Sequence, residues 1–164
     1  MVGAVTTLGV ISDTHGLLRP EARAALASVD RIIHAGDLDD RLVLQWLGTL
    51  APLTAVRGNC DRGAWARALR DHETIVVEGF AIHVIHDLQS IRVDPRADGI
   101  AVVVHGHTHR PKQEVRDGVL YFNPGSAGAQ RHGTPVSIGK LHLGPSGPRA
   151  EIIDLEARFT ARDR

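Results

Sequence analysis

The sequence predicts an α/β protein in which two sheets pack face to face with helices outside. Residues 6–71 alternate apolar, strand-like runs with helical ones, the pattern of a mostly parallel sheet. Residues 73–156 are strand-rich instead, which calls for a second sheet. A chain of 164 residues with 43% hydrophobic residues suits a single domain, 1–164, with a sizeable core.

The elements follow in order. "TTLGVIS" (6–12) reads as a buried strand that stops at Asp13. "RPEARAALAS" (19–28) reads as a helix, with Pro20 suited to its first turn. "DRIIHAGD" (30–37) is a second strand and "DDRLVLQWLGTL" (39–50) an amphipathic helix. "LTAVRGNCD" (53–61) is a third strand that breaks at Gly58, and "GAWARALRD" (63–71) a short helix. "ETIVVEG" (73–79) and "FAIHVIHD" (80–87) pair through Gly79, and "GIAVVVHG" (99–106) is a buried strand. In 113–126, Asp117-Gly118 signals a hairpin. "TPVSIGKLHL" (134–143) and "AEIIDLE" (150–156) alternate as half-buried strands around a Gly/Pro-rich turn.

Metal-ligating side chains gather at the strand ends. Asp13 and His15 follow the first strand, Asp37 the second and Asn59 the third. His86 ends a later strand, and His107 and His109 follow the valine strand in "VVVHGHTHRP". In parallel α/β sheets ligands bind at the carboxyl ends of strands, so five loops present donors at one edge. In extended backbone, residues i and i+2 point the same way. Asp13/His15 and His107/His109 would then each aim two donors at one point, with Thr14 and Thr108 facing elsewhere. His105, across the turn from the His107/His109 pair, stands apart. Gly16, Gly36, Gly58 and Gly106 sit beside the donors, where tight turns or close backbone approach are expected.

Three oxygen donors and four imidazoles are too many for one tetrahedral ion and suit two transition metals that share a carboxylate. Nitrogen and oxygen ligation without thiolate points to Mn, Fe, Zn, Ni or Co rather than Ca or Mg. Two divalent ions outweigh the charge of Asp13 and Asp37, so the site attracts an anion, and a phosphate ester fits. Such a pair activates water and clamps a phosphoryl group for in-line displacement.

Bulk properties narrow the partners. The formal net charge is zero, which argues against broad electrostatic affinity for nucleic acid or membrane. A lone cysteine, Cys60, allows no intrachain disulfide, the start has no signal-peptide pattern, and no run nears a membrane span. The cytoplasm is the expected location.

"DTH", "GD", "GNCD" and "GHTH", in this order, resemble the calcineurin-like metallophosphoesterases, in particular their small single-domain phosphodiesterase branch in bacteria and archaea. "NPGS" (123–126) is similar to a further segment of that branch. The resemblance spans residues 8 to about 137. It implies a four-layer αββα sandwich of two mixed sheets. It implies that Asp13, His15, Asp37 and His109 hold one ion and Asp37, Asn59, His86 and His107 the other, with Mn the first choice of metal. It also implies that a metal-bridging hydroxide attacks phosphorus, and that Asp37 and Asn59 serve catalysis. Cys60 stands where many larger relatives carry a histidine implicated as leaving-group acid. A thiol is a poor substitute near neutral pH, so esters with good leaving groups should turn over best. Asp87 follows His86 where glycine is usual, and its carboxylate either tunes the second ion or faces solvent.

Other residues carry ordinary readings. His34, His72, His83, His132 and His142 are expected to be structural, with His34 and His105 candidates for supporting the ligands. Arg57, Arg110 and Arg131 are either substrate contacts or solvated surface. Trp46 and Trp65 are expected in the core. The function expected is phosphodiester hydrolysis of a small substrate by a chain that is monomeric or a homo-oligomer. The alternatives are a phosphomonoesterase or nuclease with the same site, and a non-catalytic scaffold such as the eukaryotic retromer subunit.

Overall fold

The computed structural model describes residues 3–131 and 133–157, so His132 and the two ends of the 1–164 domain lie outside the described residues. The strands are β1 (Thr6–Ile11), β2 (Arg31–His34), β3 (Leu53–Ala55), β4 (His72–Val77), β5 (Phe80–Ile85), β6 (Ile100–Val104), β7 (Lys112–Arg116), β8 (Val119–Asn123), β9 (Ser137–Gly144) and β10 (Gly147–Asp154). The helices are α1 (Pro20–Leu26), α2 (Arg41–Leu50) and the single turn α3 (Ala64–Arg67), with a 3₁₀ turn at Leu88–Ser90.

Two five-stranded mixed sheets form, ordered β10-β9-β1-β2-β3 and β4-β5-β6-β8-β7. In the first, β1, β2 and β3 run parallel, and β9 returns antiparallel to β1. In the second, β5, β6 and β8 run parallel, flanked by antiparallel β4 and β7. Strand alternation sorts the side chains. Leu8, Val10 and Ile33 of the first sheet meet Ile82, Val84, Val102, Val104 and Phe122 of the second in one buried layer. Each such side chain contributes about 1.5–3 kcal/mol on leaving water. The other face of the first sheet buries Ile11, Ile32 and Ile138 under Leu26 of α1 and Val43 and Leu47 of α2.

The outer face of the second sheet carries Ile85, Ile100, Val103 and Val119, covered by Leu88, Ile91 and Val93. The expected sandwich is therefore present, with its fourth layer built from the segment after β5 and its 3₁₀ turn. Both expected tight hairpins close through paired left-handed residues, Glu78-Gly79 and Asp117-Gly118. Among the described residues no helix is long and apolar enough to cross a membrane.

Some expectations need correction. The third strand stops at Ala55 rather than reaching 61, and the third helix shrinks to four residues. Trp46 is 41% exposed rather than in the core. The buried positions of α2 are Val43 and Leu47, and position 46 falls beside that stripe. Trp65 does pack against the core.

Candidate functional site

The parallel strands place the site. The carboxyl ends of β1, β2 and β3 and those of β5, β6 and β8 open on the same edge of the sandwich. Backbone hydrogen bonds tie the loops together there. Asp13 N–H donates to Gly36 O (3.0 Å), Gly106 N–H to His86 O (3.0 Å) and Ala127 N–H to Ser12 O (3.0 Å).

All seven predicted donors converge in two groups joined by Asp37. In the first group His109 Nε2 lies 3.2 Å and His15 Nε2 4.0 Å from Asp13 Oδ1. The two Nε2 atoms stand 3.3 Å apart. In the second, Asn59 Oδ1 lies 3.0 Å from both His86 Nε2 and His107 Nδ1. Asp37 Oδ2 sits between the groups, 3.3 Å from His86 Nε2 and 3.9 Å from His15 Nε2. Asp13, His15 and His109 fit one ion, as do Asp13, Asp37 and His86.

The convergence arises differently from the sequence expectation. The pairs are not in extended backbone. Asp13, His15, Asp37, His107 and His109 all have positive φ, between 46° and 70°. Left-handed residues alternating with Thr14 and Thr108 turn both side chains of each pair inward. His105 stands apart from the donor groups, as expected. It is buried, and its Nδ1 has no hydrogen-bond partner among the described residues.

The donor set suits metals on three observations. Asp13 Oδ1 is fully buried without a hydrogen bond, because His109 Nε2 approaches it outside hydrogen-bond geometry. His109 Nε2 lies 3.3 Å from His15 Nε2 and 3.2 Å from Asp13 Oδ1, so donor atoms from three residues face one point. Finally, the far nitrogens of two rings are already engaged. His15 Nδ1 donates to Asp39 Oδ2 (2.9 Å) and His86 Nδ1 to Ala35 O (2.8 Å). That leaves Nε2 of each ring as the atom that could ligate a metal.

Electrostatics agree. Burial alone would raise the pKa of Asp13 and Asp37. For Asp13 the rings of His109 and His86 and the Ser12 hydroxyl outweigh it, and for Asp37 His86 and the Cys60 amide do so, so both stay ionised. Burial would lower the pKa of His86, but Asp37 and Asp13 raise it. The Cys60 thiol is pushed up to about 11, by desolvation and then by the Asp37 charge.

Sequence reasoning missed the hub of the site, Asp61, which is 6% exposed. Its Oδ2 accepts from Gly58 N–H (2.7 Å) and Asp37 N–H (3.1 Å), and its Oδ1 from Asp39 N–H (2.8 Å). One carboxylate thus fixes the loops that carry Asp37 and Asn59. The available signal was an aspartate three residues after Gly58, the spacing at which a side chain reaches back to the first amide of a turn. Asp39 and Ser12 were also missed, the latter donating to Asp13 Oδ2 at 2.6 Å.

The other flanking residues resolve. His34 Nδ1 accepts from Gly36 N–H (3.1 Å), so its Nε2 donates to Thr14 Oγ1 (3.0 Å) and links the first two loops. "NPGS" closes the site. Asn123 Nδ2 donates to Gly106 O (3.0 Å), and Ser126 Oγ to Asp13 O (3.0 Å). Asp87 accepts from Gln89 N–H (3.0 Å) at the 3₁₀ turn and belongs to neither donor group. Arg57 pairs with Asp71 (Nε to Oδ1, 2.9 Å). A Cβ on Gly58 would overlap Asp37, and one on Gly106 would overlap Ser12 and Asp13, so both backbones must pass close to a carboxylate.

A profile of the calcineurin-like phosphoesterase superfamily domain matches residues 7–144. A probable metallophosphoesterase of Methanothermobacter thermautotrophicus is 36% identical, with 89% of this chain and 91% of that protein aligned. The solved structure of an archaeal phosphodiesterase superposes with a TM-score of 0.74 at 27% identity, covering 90% of this chain and 100% of that one. Vacuolar protein sorting 29 from Cryptosporidium parvum gives 0.74 at 17% identity, over 93% and 98% of the two chains, a likeness of fold alone. With the profile covering most of the chain, and a relative of this identity aligned almost end to end, the protein belongs to the calcineurin-like phosphoesterase superfamily.

Proposed function

We propose that this chain is a phosphodiesterase that works with two divalent transition-metal ions. Asp13, His15, Asp37 and His109 hold one, and Asp37, Asn59, His86 and His107 the other. The observation that carries the reading is the position of Asp37, whose Oδ2 lies within 4 Å of an imidazole from each group. A single carboxylate between two donor sets is what a shared ion pair requires. The ions supply Lewis acidity at phosphorus and a nucleophilic water for in-line displacement. With no thiolate among the expected ligands, Mn²⁺ is the first candidate, with Ni, Fe, Zn and Co as the others.

The chain's own groups do the remaining work. Asp61 and Asp39 hold the loops and the His15 ring, so little reorganisation is needed when substrate binds. Asn59 uses its carbonyl oxygen in the donor group and donates one amide N–H to Cys60 Sγ (3.5 Å), which leaves the other to hydrogen-bond a phosphoryl oxygen. Cys60 lies beside Asp37, its backbone N–H donating to Asp37 Oδ1 at 2.8 Å. Its thiol keeps its proton at neutral pH and gives it up reluctantly, which makes it a weak acid for a leaving alkoxide. Esters with acidic leaving groups are therefore the better substrates. The single cysteine accords with a reducing, cytoplasmic setting.

The test is hydrolysis of bis-p-nitrophenyl phosphate against p-nitrophenyl phosphate by Mn²⁺-loaded protein, with Asp37→Ala as control. Diester turnover that disappears in the variant is the expected result. A preference for the monoester would keep the chemistry and overturn the substrate class. Two bound ions with no turnover of either would favour the scaffold alternative.

A further inference from the structure

Beside the second donor group lies a hollow of about 720 Å³ whose wall includes Asn59, His86 and His107. Four arginines line it, namely Arg57, Arg62, Arg67 and Arg92. They come from two places in the fold. Arg57, Arg62 and Arg67 belong to the segment after β3, at the edge of the first sheet. Arg92 belongs to the segment after β5, from the second. The cations thus face a common space from both sheets.

The acids of this wall are already engaged. Asp61 accepts three backbone N–H groups. Asp71 pairs with Arg57, and Asp87 accepts from Gln89 N–H. Among the described residues Arg62, Arg67 and Arg92 form no ion pair. The chain as a whole has zero formal charge, so this concentration of guanidinium groups is local and does not follow from composition. Arg62, Arg67 and Arg92 neither help the fold through ion pairing nor belong to the donor groups, yet they border the atoms proposed to bind the scissile phosphate. Guanidinium groups suit phosphate and carboxylate oxygens, which they can bind in a fork.

We infer that this hollow binds one ester arm of the substrate through a second anionic group, so that the preferred substrates are phosphodiesters bearing a further phosphate. A hollow of this size accommodates a nucleotide-sized arm. The inference rests on the phosphodiesterase reading above. Arg62 and Arg92, one from each sheet edge, form the clamp.

The test compares thymidine 5′-(p-nitrophenyl phosphate) with the same compound carrying a 3′-phosphate. The two share the scissile bond and the chromogenic leaving group. The Mn²⁺-loaded protein should favour the 3′-phosphorylated compound about tenfold in kcat/KM, mostly through KM, as expected for charge-assisted contacts. Arg62→Ala/Arg92→Ala should bring that ratio to near one, and Arg62→Lys/Arg92→Lys, which keeps the charge, should retain part of it. A wild-type ratio near one, or a ratio the alanine pair leaves unchanged, overturns the inference. If no diester is turned over at all, the hydrolase reading fails by itself. The hollow is then judged by titration calorimetry with thymidine 3′,5′-bisphosphate against thymidine 5′-monophosphate. Tighter binding of the bisphosphate that is lost in the alanine pair supports it, and equal binding refutes it.

Discussion

Asp61 is the residue whose loss should tell most about how the site is held. Its carboxylate accepts N–H groups from Gly58, Asp37 and Asp39 at 2.7, 3.1 and 2.8 Å. Hydrogen bonds to a charged acceptor are each worth about 1.5–3 kcal/mol net, and leaving a buried donor unpaired costs about 1–3 kcal/mol. Asp61→Asn keeps one oxygen, which can serve the Gly58 and Asp37 amides. It turns an NH₂ toward the Asp39 N–H and removes the charge, so a loss of about 2 kcal/mol follows. Asp61→Ala strips all three donors, and water entering the gap recovers part, so about 4 kcal/mol is expected. With a urea m-value of about 2 kcal/mol/M, the midpoints should fall by roughly 1 M and 2 M. The same change frees the loops of Asp37 and Asn59, so Mn²⁺ bound per chain, measured by elemental analysis after gel filtration, should drop in both variants. If Asp61→Ala keeps its urea midpoint within about 0.3 M and its full metal content, a shift well inside this range, the assignment of Asp61 as the organiser of these loops is wrong.

Three further perturbations probe the remaining parts. His107→Ala should abolish nearly all diesterase activity and one bound ion, whereas His105→Ala, outside the donor groups, should keep most of both; equal losses would refute the separation. Gly58→Ala should lower both urea stability and metal affinity, because its new methyl group drives into the backbone and carboxylate of Asp37; urea titration and calorimetric titration with Mn²⁺ check this, and unchanged values count against the close approach. His34 is fully buried, and burial pushes its pKa from 6.5 down to about 3. Its unfolded form takes up a proton below pH 6.5 while the folded form stays neutral, so stability falls as pH drops through the window from 6.5 to 3. By pH 4.5 the contribution is on the order of 2–3 kcal/mol, and His34→Gln should flatten the urea midpoint against pH over that window.

Much of the fold was legible because strand periodicity and punctuation are local. Ten strands lie where alternation and Gly, Pro or Asp-Gly boundaries put them, with ends displaced by a few residues. The seven candidate donors were legible as a cluster because His, Asp and Asn recur together at strand ends that the sheet topology brings to one edge. What escaped was set by partners distant in sequence. Past Ala55 the third strand keeps only the Val56 N–H to His34 O bond; Arg57 N–H then turns to Arg70 O, and Asp61 captures the amide of Gly58 and, across 24 residues, that of Asp37. Nothing within "GNCD" states that second bond. Trp46 reads as core by composition, yet the helix places it one position off the buried stripe. The inward aim of Asp13/His15 and His107/His109 was anticipated from extended backbone, and the same spacing is produced by left-handed turns. Spacing alone does not distinguish the two.

That last difference bears on how the site works. Eight described non-glycine residues have positive φ, and five of them are proposed metal ligands. A sixth, Asp39, hydrogen-bonds His15. Asp and His tolerate this region better than branched residues, but each still costs on the order of 1 kcal/mol. The fold sustains the cost by extending sheet-like pairing beyond the strands. After β1 and β2 end, His15 N–H still donates to Asp37 O (3.1 Å) and Gly16 N–H to Leu38 O (2.7 Å). The loops that carry Asp13, His15 and Asp37 are thereby fastened to each other like neighbouring strands. Ser126 Oγ fastens the Asp13 loop to the segment after β8, and Asn123 fastens that segment to the Gly106 loop of the second sheet. Ligands on such loops hold their geometry before any ion or substrate arrives, and strained conformations persist only where the surroundings over-determine them. The concentration of left-handed residues at the donors therefore fits the proposed metal site, whose donor geometry is set by the scaffold rather than by closure around an ion.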